Sequence, residues 1–308
     1  MNKKQSTFLN LIIVIFLILV FIKSKEINKV IITTSIIFIK NVFPSLFIMF
    51  IISDLLINLK LPELLGNLLI PVCNKLKIKK NITFIFIFSL ISGFPSSAKI
   101  INDLLEQNKL TIKEANNILK YTFFSNPLFI INTIGILLLK NKISGYIILI
   151  SHILGNIIIF FIYKNKDIII NKKEQIKEPE KNIFIILFNS INKSIKTILS
   201  IFGIIIFFSC FTSILTNIIN LNIIEKSILT GIIEITNGIN LLSISNIDIK
   251  LKLSIITFLI SFGGFSIHSQ IMNVLENKNI KYLEFFKSRI LHASISFIIT
   301  YILCSIIL

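Results

Sequence analysis

Apolar residues run in long blocks along this chain, and lysine-rich polar stretches separate them. The blocks easiest to delimit are 8–22, 42–59, 127–140, 144–163, 199–216 and 291–308. Each predicts a membrane-crossing helix, the third a short one, because about 20 apolar residues span a hydrocarbon core of about 30 Å. Residues 27–39 predict either a further span or an interfacial helix. The first block follows Lys3 and Lys4, and no small-residue cleavage pattern comes after it, so it reads as a retained membrane helix.

Two apolar pieces do not fit this scheme. "NITFIFIFSLIS" (81–92) and the piece at 250–262 are about a dozen residues each, and each ends at a glycine, Gly93 and Gly263. A dozen residues make roughly 18 Å of helix, too little to cross. An offset of 171 residues aligns "GFPSSAKIINDL" (93–104) with "GFSIHSQIMNVL" (264–275), and five of the twelve positions coincide. The same order of half-length helix, glycine break, polar turn, amphipathic stretch and full span recurs in both halves. Between them, residues 164–182 carry ten charges and Pro179. The predicted fold is therefore an all-α polytopic membrane protein of two similar halves, with broken-helix re-entrant hairpins centred on 93–99 and 263–270. The repeats are inverted if each half crosses an odd number of times. The implied organisation is an N-terminal helical region at 1–39, a first half at 40–163, a charged linker at 164–182 and a second half at 183–308.

Paired, glycine-interrupted short segments in corresponding halves point to a transporter's binding site. Main chain that leaves a helix at membrane depth must be buried in protein or face a wet cavity. The second arm of each broken helix also begins with free N–H groups and a partial positive charge, which suit an anionic or polar solute.

Composition supports the membrane assignment: 54% of the 308 residues are hydrophobic, and the mean hydropathy is +0.86. The formal charge of +17 would suggest nucleic acid in a soluble chain. Here the lysines fall between apolar blocks, as membrane-flanking loops do, and no nucleic-acid motif is present. Cys73, Cys210 and Cys304 are far apart and form no metal or disulfide pattern. No HExxH, nucleophile elbow or P-loop occurs, so neither an enzyme nor a cofactor is expected.

Several polar residues in apolar surroundings are candidates for the cavity. Gly93, Ser96, Ser97 and Lys99 follow the first break; Gly264, Ser266, His268 and Gln270 follow the second. Lys99 is either a cavity cation paired with a carboxylate or a snorkelling lysine, and Gln270 is its neutral counterpart. Arg289 is the only arginine beside 31 lysines. It is a bidentate donor to a carboxylate solute, an interfacial anchor or a structural partner of Glu234. Glu234 and Asn237, in "EITNG", are functional by default at membrane depth, with a coupling cation or Arg289 as partner. Asn126, beside Ser125 and Pro127, either faces the cavity or caps the next helix. His268 is open between solute contact and packing, whereas His152 and His292 favour packing. Asp54 reads as a buried partner rather than an anion ligand.

Seven stretches carry a resemblance: "VFPSLFIMFIISDLL" (42–56), "SGFPSSAKI" (92–100), "SNPLFIINTIG" (125–135), "SHILGN" (151–156), "EITNGI" (234–239), "FGGFSIHSQI" (262–271) and "FFKSRILHA" (285–293). In this order they resemble the YlbJ family of sporulation integral membrane proteins, within the nucleoside-recognition (Gate) domain superfamily. The resemblance implies a multi-pass protein of endospore-forming bacteria, in the cell or forespore membrane. It implies likeness to the hairpin transport domains of concentrative nucleoside carriers, and movement of dipicolinate across the outer forespore membrane. The family tends to have glycine where Ser97 stands, which leaves the first tip less tight. The expected partners are the lipid bilayer and a small anionic solute, with a second copy or other sporulation membrane proteins as candidates. The rival functions are a non-transporting scaffold for spore-envelope assembly and a nucleoside carrier, the latter kept open by Phe94, Phe265, Asn102 and Asn273.

Overall fold

In the computed structural model the apolar blocks become helices, and every regular element among the described residues, 3–164, 182–276 and 278–308, is helical. The N-terminal region forms α1 (Lys3–Ile22) and α2 (Ser24–Ile37), which passes through a wide π-type turn (Phe38–Val42) into α3 (Phe43–Asn58) of the first half. Pro44 sits in the first turn of α3, where its missing N–H breaks no helical bond. Two short helices, α4 (Leu61–Leu68) and α5 (Ile70–Leu76), lead to α6 (Lys80–Ser92), α7 (Ser96–Glu106) and α8 (Ile112–Ile118). Thr111 and Glu114 close a reciprocal cap on α8. Residues 122–126 then leave the helix altogether before a π-type segment (Phe129–Leu138) and α9 (Lys142–Tyr163).

The second half consists of α10 (Ile183–Ile218), α11 (Ile223–Ile233), α12 (Ile235–Ser243), α13 (Ile249–Phe262), α14 (Gly264–Val274) and α15 (Tyr282–Ile307). Four segments are long and apolar enough to cross a membrane: 142–163, 183–218, 249–274 and 282–307. Shorter apolar helices run over 13–22, 46–58, 80–92 and 129–138. Most of the charged linker expected at 164–182 lies outside the described residues.

α10 is the largest departure from the hydropathy reading. It has 36 residues, about 54 Å of helix, where an 18-residue span was expected at 199–216. Asn182 caps its start, and no proline or glycine interrupts it before Gly203. Lys193 and Lys196 interrupt the apolar block in sequence, yet neither breaks a helix.

Both expected breaks are present. α6 stops at Ser92, and Gly93 takes φ +74° and ψ 178°, a backbone conformation essentially reserved for glycine. α13 stops at Phe262, and Gly263 and Gly264 follow at φ +92° and +70°. The second arms differ in where they go. α7 packs back on α6 and across to α3, while α14 packs on α10, α11 and α7. The two second arms therefore meet each other. Their continuations differ as well: the first break leads to α8, an unwound stretch and two helices, and the second leads to the single long α15.

Three apolar clusters hold the described elements. The largest joins α6 to α9 with α12 to α15, through residues such as Phe84, Ile101, Ile148, Leu253 and Phe285. A second, separate cluster sets Phe38, Leu46 and Phe50 against Ile198 and Ile201 of α10. A third sets Ile27 of α2 against Cys210 and Ile214 of α10.

A methyl added at Gly93 would collide with the Asn126 main chain, 2.8 Å from its Cα, whereas one at Gly203 meets nothing within 4 Å. Gly93→Ala is expected to cost about 3 kcal/mol or more of stability. Gly203→Ala is expected to be neutral or stabilising by about 0.5–1 kcal/mol. Thermal unfolding of both variants in detergent tests the pair, and equal midpoints would contradict the break geometry.

Candidate functional site

The unwound stretch 122–126 crosses the interior beside both breaks, and other parts of the fold satisfy its main chain. The Phe94 N–H donates to the Phe124 carbonyl at 2.6 Å. Asn156 Nδ2 donates to the Phe123 carbonyl at 3.1 Å, and the Ser125 N–H donates to His152 Nε2 at 2.9 Å. Upstream, Arg289 Nη2 donates to the Lys120 carbonyl. The second break is held the same way, with His268 Nε2 donating to the Phe262 carbonyl at 2.8 Å.

These bonds fix the histidine tautomers. His152 accepts at Nε2, so its Nδ1–H faces Ser261 Oγ at 2.8 Å. His292 donates from Nε2 to the His152 carbonyl at 3.0 Å and accepts at Nδ1 from Arg289 Nη1 at 3.2 Å. His268 donates from Nε2 and faces the Tyr282 hydroxyl with Nδ1, at 3.2 Å.

Arg289 is fully buried and lies between aromatic faces, 4.6 Å from the Phe123 centroid and 5.5 Å from that of Phe285. The Arg289–Glu234 pair considered from sequence is not formed. Glu234 instead caps α12, accepting from the Thr236 and Asn237 N–H groups at 3.2 and 2.8 Å. The physical reason is local: α11 ends at Ile233 and α12 begins at Ile235, so free N–H groups lie within reach of the carboxylate.

A central cavity of about 70 Å³ lies where the breaks converge. Phe94, Asn126, Glu234 and Gln270 line it, together with Leu46 of α3 and Ile205 of α10. A narrow space of about 10 Å³ adjoins it and shares Val42, Ile205, Glu234 and Thr236 with it. That space shares Thr34 and Asn237 with a polar basin of about 300 Å³ between α2, α10, α11 and α12. On the other side a cavity of about 340 Å³ lies between α7, α10 and the end of α14. Ile267, Gln270 and Val274 share one face of α14 by helical spacing and lead from the central cavity to this one. α10 touches every cavity in the series. Its lining residues turn from Lys193, Thr197 and Ser200 to Ser209, Thr212 and Thr216, so the row winds around the helix.

Lys99 belongs to the 340 Å³ cavity. Its Nζ donates to the Phe50 carbonyl at 3.1 Å and lies 4.0 Å from Asp54 Oδ1. Asp54 also accepts from Ser190 at 2.5 Å and from Asn58 at 3.0 Å. Lys193 Nζ sits 3.5 Å from Asp54 and 3.8 Å from Asp103. This network ties α3, α7 and α10 together.

The chain is similar to the sporulation integral membrane protein YlbJ of Bacillus subtilis (strain 168). The two are 26% identical over 288 aligned residues, which cover 81% of this chain and 71% of the relative. This similarity supports a place beside YlbJ among sporulation integral membrane proteins. The chain is an integral membrane protein, with four helices among the described residues long and apolar enough to span a bilayer. No family model matches the chain, and no solved structure matches it.

In this chain the predicted site residues separate into three groups. Asn126, Glu234 and Gln270 come together at the central cavity, Asn237 lines the basin and Lys99 the opposite cavity. Gly93 and Gly264 form the breaks. Ser96, Ser97, Ser266, His268 and Arg289 are buried and line none of these spaces. Asn126 fills both roles proposed for it, since it lines the cavity and its Oδ1 accepts from the Leu128 N–H at 2.8 Å. The sequence reading missed Asn156, Lys193, Lys29 and the Ser209–Thr216 row. The i, i+3, i+4 spacing of that row inside an apolar block was the available signal.

Arg289→Lys keeps the charge but not the planar stacking or the bond to Lys120. It is expected to cost about 2–4 kcal/mol of stability, with or without any solute. Gln270→Leu is expected to stay within about 1 kcal/mol of the unmodified protein. Melting curves in detergent distinguish these, and an undisturbed Arg289→Lys variant would contradict the structural role.

Proposed function

We propose that the chain acts in sporulation as a membrane transporter or facilitator for a small anionic solute. Dipicolinate crossing the outer forespore membrane is the solute that the family resemblance favours. The sporulation context comes from the relative, which is described as a sporulation integral membrane protein. The observation that carries the transport reading is the series of cavities along α10. Two polar spaces of about 300 and 340 Å³ flank a central one of about 70 Å³ lined from both halves of the chain. Lys193 and Asn217 of α10, which line the outer two, are 24 residues apart, about 36 Å along the helix and so comparable to a bilayer. The likeness to Gate-type hairpin domains belongs to the same reading, with the breaks at Gly93 and Gly263–Gly264 as the tips. A scaffold has no need of a wet path at membrane depth, whereas a carrier requires one.

The test is solute uptake by vesicles containing the purified protein, with dipicolinate and uridine compared. Dipicolinate uptake above that of protein-free vesicles is expected. Gln270→Leu is expected to lower it on the order of tenfold, the effect of one lost hydrogen-bonding group. Uptake of uridine alone would favour the nucleoside carrier. Equal permeation of both solutes with and without protein would favour the scaffold.

A further inference from the structure

The two outer cavities differ in charge. The 340 Å³ cavity is lined by Lys99, Lys193 and Lys196, but also by Asp103 and Glu106, with Asp54 bound to Lys193 behind them. Its cations are compensated. The 300 Å³ basin is lined by fourteen residues, twelve of them polar, including Lys29 and Lys226 and no carboxylate. Neither lysine ammonium has an ion-pair partner among the described residues.

The carboxylates nearest in sequence are already engaged. Glu26 accepts from Lys23 and from Asn217, and Glu225 closes the cap of α11 by accepting from the Asn222 N–H. Glu234, at the narrow passage beyond the basin, is bonded to the N–H groups of α12. The basin also sits where helices end. Lys29 is in the second turn of α2, Lys226 is in the first turn of α11, and Asn217 is at the last turn of α10.

We infer that this basin is a docking site for a small organic or inorganic oxyanion, and that the solute enters the path from this end. Two uncompensated ammonium groups in a recess with low-dielectric walls concentrate anions far more than dispersed surface lysines do. Thr33, Thr212 and Thr216 give their hydroxyl protons to helix carbonyls. The charged donors available to the anion are Lys29 and Lys226, and the Asn240 amide and the Thr34, Ser209, Ser213 and Thr230 hydroxyls line the same recess. The passage between the basin and the central cavity is only about 10 Å³ in volume and carries Glu234. A captured anion is thus held at the basin until the passage opens. This inference rests on the transport reading for its direction of travel, but the docking site itself can be measured without transport.

The experiment is equilibrium dialysis of the purified full chain in nanodiscs of neutral lipid, with radiolabelled dipicolinate and, separately, inorganic phosphate. At low salt the unmodified protein is expected to bind, with affinity falling as ionic strength rises. The double variant Lys29→Gln, Lys226→Gln is expected to lose on the order of tenfold or more. The corresponding Lys→Arg pair should restore binding to within about threefold, which excludes misfolding as the cause. Lys287→Gln, one exposed charge removed away from all of these cavities, should bind within about twofold of the unmodified protein. Unchanged binding by the double Gln variant, or no binding of either anion by the unmodified protein, would overturn the docking site. Lysine-dependent binding without vesicle uptake would keep the basin and remove the transport reading; uptake with lysine-independent binding would do the reverse.

Discussion

A backbone amide or carbonyl taken out of a helix inside an apolar interior must find a partner, and most of this fold follows from that requirement. Among the described residues, four places abandon helical bonding near the centre: Gly93–Pro95, residues 122–126, Glu234 and Gly263. Glu234 caps the helix that follows it, and elsewhere the chain meets the requirement with bulky polar side chains imported from other helices. Arg289 and His292 come from α15, His152 and Asn156 from α9, and His268 from α14. Each reaches a main-chain group or orients the side chain that does. The breaks and the buried polar residues are therefore one system, and removing either part strands the other.

This divides the intramembrane polar residues into two populations. One population maintains irregular backbone and is sealed, with Arg289 packed between Phe123 and Phe285 as the clearest case. The other faces space: Asn126, Glu234 and Gln270 at the centre, and the lysines, hydroxyls and amides of the outer cavities. An ionisable residue at membrane depth is a functional candidate by default, but that default does not distinguish a solute ligand from a backbone partner. Glu234 belongs to both, since its oxygens cap α12 while the side chain lines the passage.

The half-length helices and their glycine stops were legible because length and glycine act locally. A dozen apolar residues ending at Gly93 or Gly263 leave few alternatives. The meeting of α7 with α14, and the gathering of Asn126, Glu234 and Gln270, followed from where those stops lie. The roles of Arg289 and His268 were not legible. They depend on which carbonyls happen to be exposed across the fold, at Lys120 and Phe262, and no local pattern records that. The full extent of α10 was obscured for a different reason. A hydropathy window treats Lys193 and Lys196 as the end of a span, although a helix continues through lysine without penalty when one side is wet.

The cavities also follow the seams of apolar packing. The largest cluster binds α6 to α9 with α12 to α15, and α3 reaches it through Ile57, with Met49 and Leu56 packed against it. α2, the body of α3 and α10 are held by two smaller clusters of their own. The central cavity, the narrow passage and the basin each have walls from both groups, with Leu46 or Thr34 on one side and Glu234 or Asn237 on the other. A central space of about 70 Å³ holds a few waters, not a ring bearing two carboxylates. On the proposed transport reading, passage of such a solute would require the two groups to separate. Along this seam separation would part the Lys99–Asp54–Lys193 network and the α3 side chains on the main cluster, whereas opening between α7 and α14 would break into the main core and the backbone bonds at its centre. The side chains imported to satisfy the unwound main chain all lie on α9, α14 and α15, and the wall along α10 can thus move without breaking those bonds.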